Sequence, residues 1–178
     1  TTSCVILMGI AENKFLLGET ERAKPTFKLV LQKCNNPRLA LGATVRLADL
    51  QTENKMNLSE KAYEAALKRD LNRFNRFYPH ALYNLGEIKY RKKKFKSARF
   101  YFKEYLTHSV DAVCLPYAQK RKADVSFKLG TKLKKVVGMY MVANEQAPGT
   151  DVGRFSYLRG LMLEMPRFGA AEYQRRLK

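Results

Sequence analysis

Apolar residues recur at spacings of three and four along almost the whole chain, which is typical of helices with one buried face. Residues 82–106 show this most clearly, with apolar side chains on one side of two successive helices: Leu82, Leu85, Ile88, Phe95, Ala98, Phe102 and Tyr105. The pattern predicts an all-α protein of about nine helices plus a short C-terminal helix. The predicted helices are 3–17, 20–34, 37–51, 59–75, 79–92, 95–107, 115–130, 132–146, 151–165 and 168–177.

Prolines mark a near-regular period. Pro37, Pro79 and Pro116 each fall at a predicted helix start, where the missing amide hydrogen is tolerated. Near-regular helix pairs with a period in the thirties indicate an α-solenoid, in which each pair buries its apolar face on its neighbour. We expect a single helical-repeat domain over 1–165 and a tail or short helix over 166–178. Its units are about 4–35, 37–75, 79–110, 115–148 and a capping helix, 151–165.

The clearest unit, residues 82–106, has large, small and aromatic residues in a specific order. These are Leu82, Leu85, Gly86, Phe95, Ala98 and Phe102. The order resembles the signature of the tetratricopeptide repeat (TPR) family. Lys89 departs from it where an aromatic is usual, and Lys93 stands where the turn often has glycine. The resemblance implies a right-handed solenoid of antiparallel helix pairs, in which the first helix of each pair lines a concave groove that holds a partner.

Positive charge is concentrated in the middle of the chain. The sequence has 34 Lys and Arg and 16 Asp and Glu, a net charge of +18. Residues 68–135 alone hold 19 basic and 5 acidic side chains, a net charge of +14. A localised patch steers an anionic partner to one place on the surface.

The resemblance also implies which residues line the groove. Carried over position by position, the partner-binding residues are Tyr83, Asn84, Glu87, Tyr90, Arg91, Arg121, Lys122, Lys128 and Arg46. An amide such as that of Asn84 both donates and accepts hydrogen bonds to a peptide backbone. Arg91, Arg121 and Lys122 suit carboxylates. We therefore predict an adaptor or scaffold that binds an acidic protein segment, within a larger bacterial complex.

Two alternatives remain open. Aromatic residues interleave the basic zone of 68–135, and single-stranded nucleic acid is bound by such mixtures of stacking and charge. The second alternative is a structural subunit of a cell-envelope assembly, since units that open at a proline are similar to those of bacterial envelope TPR proteins.

The sequence contains no catalytic or metal-binding motif. The chain has neither a phosphate-binding glycine loop nor a dinucleotide fingerprint, and its two histidines, His80 and His108, have no metal-ligand spacing around them. We expect no enzymatic activity and no cofactor. No apolar run is long enough for a membrane span. The three cysteines are far apart in sequence, so we expect them to be unpaired, which favours the cytoplasm over the periplasm or cell envelope.

Overall fold

The structure, a computed structural model, describes residues 2–51, 56–69, 76–109 and 113–177. Within these ranges it has nine helices and no strand, which confirms the predicted all-α helical-repeat fold. The helices are α1 (Thr2–Leu16), α2 (Thr20–Lys33), α3 (Pro37–Asp49), α4 (Met56–Arg69), α5 (Phe77–Arg91), α6 (Phe95–His108), α7 (Leu115–Lys128), α8 (Leu133–Gln146) and α9 (Asp151–Leu177).

Side-chain caps stand at the starts of α3 and α9. The side chain of Asn36 accepts hydrogen bonds from the amides of Arg38 and Leu39, at 2.9 and 3.3 Å, directly before Pro37. Thr150 caps α9 in the same way, because its hydroxyl oxygen accepts from the amide of Gly153 at 3.2 Å.

The two largest differences from prediction concern α4 and α9. Helix α4 begins at Met56, three residues before the predicted start, and the predicted stretch 70–75 lies outside the described residues. The predicted short C-terminal helix is a continuation of α9, which passes through Pro166. A proline inside a helix costs about 3 kcal/mol, through a lost backbone hydrogen bond and a clash of its ring with the preceding turn. Strong helix formers such as Ala170 and Ala171 follow Pro166 and favour continuation of the helix.

The chain divides into two compact units, residues 1–88 and 89–178. In the first unit α1 packs against α2 and α3, α2 against α3, and α3 against α4. In the second unit α6 packs against α7, and α7, α8 and α9 pack against one another. The single domain predicted over 1–165 stays a prediction.

Three helices end in the same turn. At the ends of α1, α5 and α7 the residues Gly18, Lys93 and Gly130 have φ of +76°, +57° and +69°. In each turn the amide of this residue donates to the carbonyl three residues back, and the next amide donates to the carbonyl five residues back. This is the Schellman motif, which favours glycine. Lys93 therefore adopts the positive φ that its position in the repeat pattern implied.

Each unit has its own tightly packed core. In the first unit Gly42 of α3 lies so close to Phe77 that a Cβ there would meet its ring at 2.6 Å. In the second unit the buried side chains of Ala123, Val136 and Tyr140 form one cluster. Small residues on one helix thus face aromatic rings on another, as the repeat pattern predicts.

Cys4 and Cys34 form a disulfide, so the prediction of three unpaired cysteines is wrong. Their Cα atoms are 5.8 Å apart although 30 residues separate them in sequence. The reason is the antiparallel packing of α1 and α2, which places the start of one helix beside the end of the other. Cys114 is exposed and takes no part in this bond. The argument from unpaired cysteines for a cytoplasmic location therefore fails.

Replacing Lys93 by glycine should raise the free energy of unfolding by about 1 kcal/mol, because glycine adopts positive φ without steric cost. Urea unfolding followed by circular dichroism measures the change. Lys94→Gly is the matched control, since Lys94 has a negative φ of −81° and should gain nothing. Equal effects of the two variants would show that the Lys93 turn is not strained.

Thiol titration in denaturant should find one reduced cysteine before reduction and all three after it, because Cys4 and Cys34 are bonded. Cys4→Ser should lower stability by about 3–4 kcal/mol, as expected for opening a loop of this length. Three reduced thiols in protein purified without reductant would contradict the bond.

Candidate functional site

Arg46 of α3 is the centre of a polar network in the first unit. Its guanidinium donates to both carboxylate oxygens of Glu12, at 2.8 and 3.0 Å, and to Asp49 at 3.2 Å. It also lies over the ring of Phe15, 4.6 Å from the centroid, and 5.3 Å from that of Phe77. A forked, two-point pair with a carboxylate combined with stacking on aromatic rings is a geometry to which arginine is suited and lysine is not.

The carboxylate of Asp49 accepts hydrogen bonds from side chains on three helices of the first unit. Besides Arg46, the hydroxyl of Tyr63 on α4 donates to it. On α5, Nε2 of His80 lies 2.9 Å from Oδ1 of Asp49, and the amide of Asn84 donates to the same oxygen at 3.3 Å. The carboxylate favours the tautomer in which Nε2 of His80 carries the proton. One half-buried carboxylate thus joins α3, α4 and α5.

The environment of Arg46 keeps it charged. Burial by itself lowers the pKa of the guanidinium, but the hydrogen bonds and charges of Glu12 and Asp49 outweigh burial and raise the pKa above its ordinary value. A buried cation paired in this way holds its neighbours in a fixed arrangement, and loss of one partner leaves a charge uncompensated.

The second unit contains the same arrangement. Arg121 of α7 lies over the ring of Tyr90, 5.0 Å from the centroid, and donates to Asp124 at 3.4 Å. Lys120 donates to Asp124 at 3.2 Å, and the hydroxyl of Tyr140 on α8 donates to it at 2.7 Å. Burial, with the hydrogen bond to Asp124, raises the pKa of the Tyr140 hydroxyl above its ordinary value. We call Asp49 and Asp124 with their donors the two carboxylate stations.

The two stations correspond residue by residue. Phe15, Arg46 and Asp49 are each 75 positions before Tyr90, Arg121 and Asp124. A signal was therefore present in the sequence and was missed: the pattern Arg-x-Ala-Asp occurs at 46–49 and again at 121–124. His80 and Asn84 correspond by the same shift to Phe155 and Arg159. In place of a histidine that donates to the carboxylate, the second unit thus has a phenylalanine.

Three of the predicted partner-binding residues belong to the carboxylate stations. Arg46, Asn84 and Arg121 are engaged with Asp49 or Asp124, so a partner would have to compete with these carboxylates. The ring of Tyr90 contacts Arg121 and also the ring of Phe95, whose centroid is 5.7 Å away. These roles in partner binding stay predictions.

The other predicted residues differ in accessibility. Tyr83, Glu87 and Lys122 are half-buried, whereas Arg91 and Lys128 are exposed. Lys122 lies about 100° round the helix from Arg121 and so does not share its stripe. The stripe of α7 that contains Arg121 continues to Tyr117, Lys120, Asp124 and Lys128, at spacings of three and four. We call these five residues the basic face of α7.

Metal and membrane sites are not found in the part of the chain that the structure describes. No group of three His, Cys, Asp or Glu side chains there has the placement of a metal site. No described helix combines the length and the apolar character that crossing a membrane requires.

Comparison with solved structures identifies the fold. No family model and no curated protein matches the chain. The structure is similar to YrrB, titled "a TPR protein with an unusual peptide-binding site", with a TM-score of 0.71 and 16% identity over 96% of this chain and 82% of YrrB. It is also similar to PilF of Pseudomonas aeruginosa, with a TM-score of 0.73 and 18% identity over 98% of this chain and 75% of PilF.

A third similar structure is MamA, with a TM-score of 0.68 and 19% identity over 97% of this chain and 88% of MamA. These three are TPR proteins. Their TM-scores show that they share a fold with this chain, and because the identities are below 20% the similarity extends to the fold alone. The resemblance predicted from residues 82–106 is confirmed at that level: the chain has the tetratricopeptide-repeat fold.

Proposed function

We propose that this protein is a non-enzymatic adaptor that binds an acidic protein segment through the basic concave groove lined by the first helices of its pairs. The observation that carries the proposal is the basic face of α7. In it exposed Lys128 and half-buried Lys120 and Arg121 share one stripe with the exposed aromatic ring of Tyr117.

The fold supports binding of a protein. A helical-repeat fold is used by protein-interaction scaffolds, and the fold neighbour YrrB has a peptide-binding site. Arrays of helix pairs present long surfaces to extended or helical ligands. The proposal extends this use of the fold to the present chain.

Charge supports an acidic partner. The second unit has 21 Lys and Arg against 7 Asp and Glu, a net charge of +14. Asp124 neutralises part of the charge of Lys120 and Arg121, since both donate to it. Arg91 and Lys128 are the exposed members of the predicted set and so are the groups that an incoming carboxylate reaches first.

The polar networks support a scaffold more than a catalyst. His80 and Asp49 resemble an orienting pair, but the carboxylate of Asp49 is held by Arg46, Tyr63 and Asn84 as well. We assign this pair to the packing of α3, α4 and α5. A non-enzymatic role is accordingly part of the proposal.

The disulfide favours the cell envelope over the cytoplasm. Disulfides persist in oxidising compartments such as the bacterial periplasm. Cys4 and Cys34 join the ends of α1 and α2, so they staple the first helix pair. We therefore propose the periplasm or cell envelope as the compartment, where an adaptor or structural subunit of a larger bacterial complex would work.

One observation favours nucleic acid as the second candidate. On α6 the residues Lys96, Arg99, Phe100 and Lys103 form one exposed stripe, and Phe100 is 57% exposed. A ring among cations suits stacking with phosphate contacts. Titration with a single-stranded 20-mer at several salt concentrations tests it. A steep negative slope of log affinity against log salt, together with weaker binding by Phe100→Ala at a fixed salt concentration, supports nucleic acid.

Selection of random 12-residue peptides displayed on phage tests the acidic-segment proposal. The wild-type chain should enrich peptides rich in Asp and Glu. Reversing both exposed cations, Arg91→Glu and Lys128→Glu, should weaken binding of an enriched peptide at least tenfold, because like charges then meet.

The matched control reverses Lys134 and Lys135 to Glu, which makes the same change in net charge at exposed positions on α8. This control should bind nearly as the wild type does at 0.15 M salt. Enrichment of neutral peptides, or an equal loss in the control, would contradict a defined basic site.

A further inference from the structure

Helix α9 has a side of small residues and, opposite to it, a side of large apolar residues. One side holds small residues, Gly153, Ser156 and Gly160, and is buried against α8. The fit is close: a Cβ added at Gly160 would meet Cε of Met141 at 2.5 Å. This side accounts for the packing of α9 within its own unit.

The other side carries four large apolar residues that the chain leaves exposed. Phe155, Leu158, Met162 and Met165 are 51%, 43%, 49% and 41% exposed. Their spacing of three, four and three places them in one continuous stripe, which is the spacing of a seam that packs against a second helix. We call these four residues the α9 seam. Contiguous exposed apolar stripes on a helix mark interaction sites.

The dimensions of the α9 seam fit one helix. Ten residues separate Phe155 from Met165, which corresponds to about 15 Å along the axis, or about three turns. Two unbranched methionines suit an adaptable apolar surface, and Phe155 supplies a rigid ring at one end.

The charges around the α9 seam are mainly positive. Nζ of Lys120 lies 4.4 Å from the centroid of the Phe155 ring, and Arg154 is exposed directly beside that residue. Arg159, at the flank of Leu158, lies over the ring of Phe127 at 5.6 Å. A partner with acidic residues beside its apolar stripe would complement these three cations.

The same charges disfavour a second copy of the chain as the occupant. In a pair of chains the two second units, each with a net charge of +14, would repel each other. This repulsion opposes the pairing of two α9 seams. We propose that the α9 seam is a docking site for an amphipathic helix of another protein, with an apolar stripe flanked by Asp and Glu.

This inference goes beyond the proposed function. The acidic segment proposed above is held by the exposed cations Arg91 and Lys128, whereas the α9 seam binds through apolar side chains. Replacing Arg91 and Lys128 by Glu tests binding of the acidic segment. Replacing Leu158 and Met162 by Ser tests docking at the α9 seam. Either proposal can therefore fail without the other.

A designed peptide provides the test. The probe is a fluorescein-labelled 18-residue peptide with Leu at the two apolar positions of each heptad and Glu beside them, measured by fluorescence anisotropy. The wild-type chain should bind it. A peptide of the same composition in scrambled order, and one with Lys in place of Glu, should each bind at least tenfold more weakly, because the first lacks the stripe and the second is repelled.

Two variants locate the binding. The double variant Leu158→Ser, Met162→Ser should bind the Glu peptide at least tenfold more weakly, because it removes the middle of the seam. Val142→Ser, which changes an exposed apolar residue of α8 in the same unit, is the control and should bind as the wild type does. Circular dichroism confirms that all variants retain the helical fold.

Three results would overturn the proposal. The first is equal binding of the scrambled and ordered peptides, and the second is unchanged binding in the Leu158→Ser, Met162→Ser variant. The third comes from light scattering: a wild-type dimer that this variant converts to a monomer, and that excess Glu peptide does not dissociate, would show that a second copy occupies the seam.

Discussion

A half-buried carboxylate on the first helix of a pair is the feature on which the packing of each unit depends. Asp49 receives donors from α3, α4 and α5, and Asp124 receives them from α7 and α8. Apolar packing brings helices together without fixing their rotation, whereas a carboxylate with several donors has few geometries that satisfy it. Each carboxylate also keeps an arginine in place over the aromatic ring of a preceding helix.

Each unit contains one carboxylate station, and the differences between the two stations bear on function. In the first unit His80 and Asn84 complete the network around Asp49. In the second unit the corresponding residues are Phe155 and Arg159. The half-exposed ring of Phe155 thus occupies the position that the hydrogen-bond donor His80 has in the first unit. The first station is consequently closed by its own side chains, while the second continues into the basic face of α7 and the α9 seam, where we place the partners.

The sequence predicted the helices well and the long-range polar contacts poorly, for different physical reasons. Helix limits depend on local chemistry, such as Asn36 before Pro37 or the turn at Lys93, and these signals lie within a few residues. The bond between Cys4 and Cys34 and the approach of Tyr63 to Asp49 depend on how separate helices align. The predicted site was chosen by repeat position alone, which identified the face of Arg46 and Arg121 but not the carboxylates that already hold them.

A double-mutant cycle on Asp124 and Tyr140, measured by urea unfolding, tests most directly whether the carboxylate stations hold the units together. Asp124→Asn should lower the free energy of unfolding by about 2–3 kcal/mol, since it removes the negative charge to which Lys120 and Arg121 donate, and Tyr140→Phe by about 1–2 kcal/mol. The double variant should lose at least 1 kcal/mol less than the sum, because both changes remove the same hydrogen bond. Losses below about 0.5 kcal/mol for each single variant, with no coupling, would contradict the account.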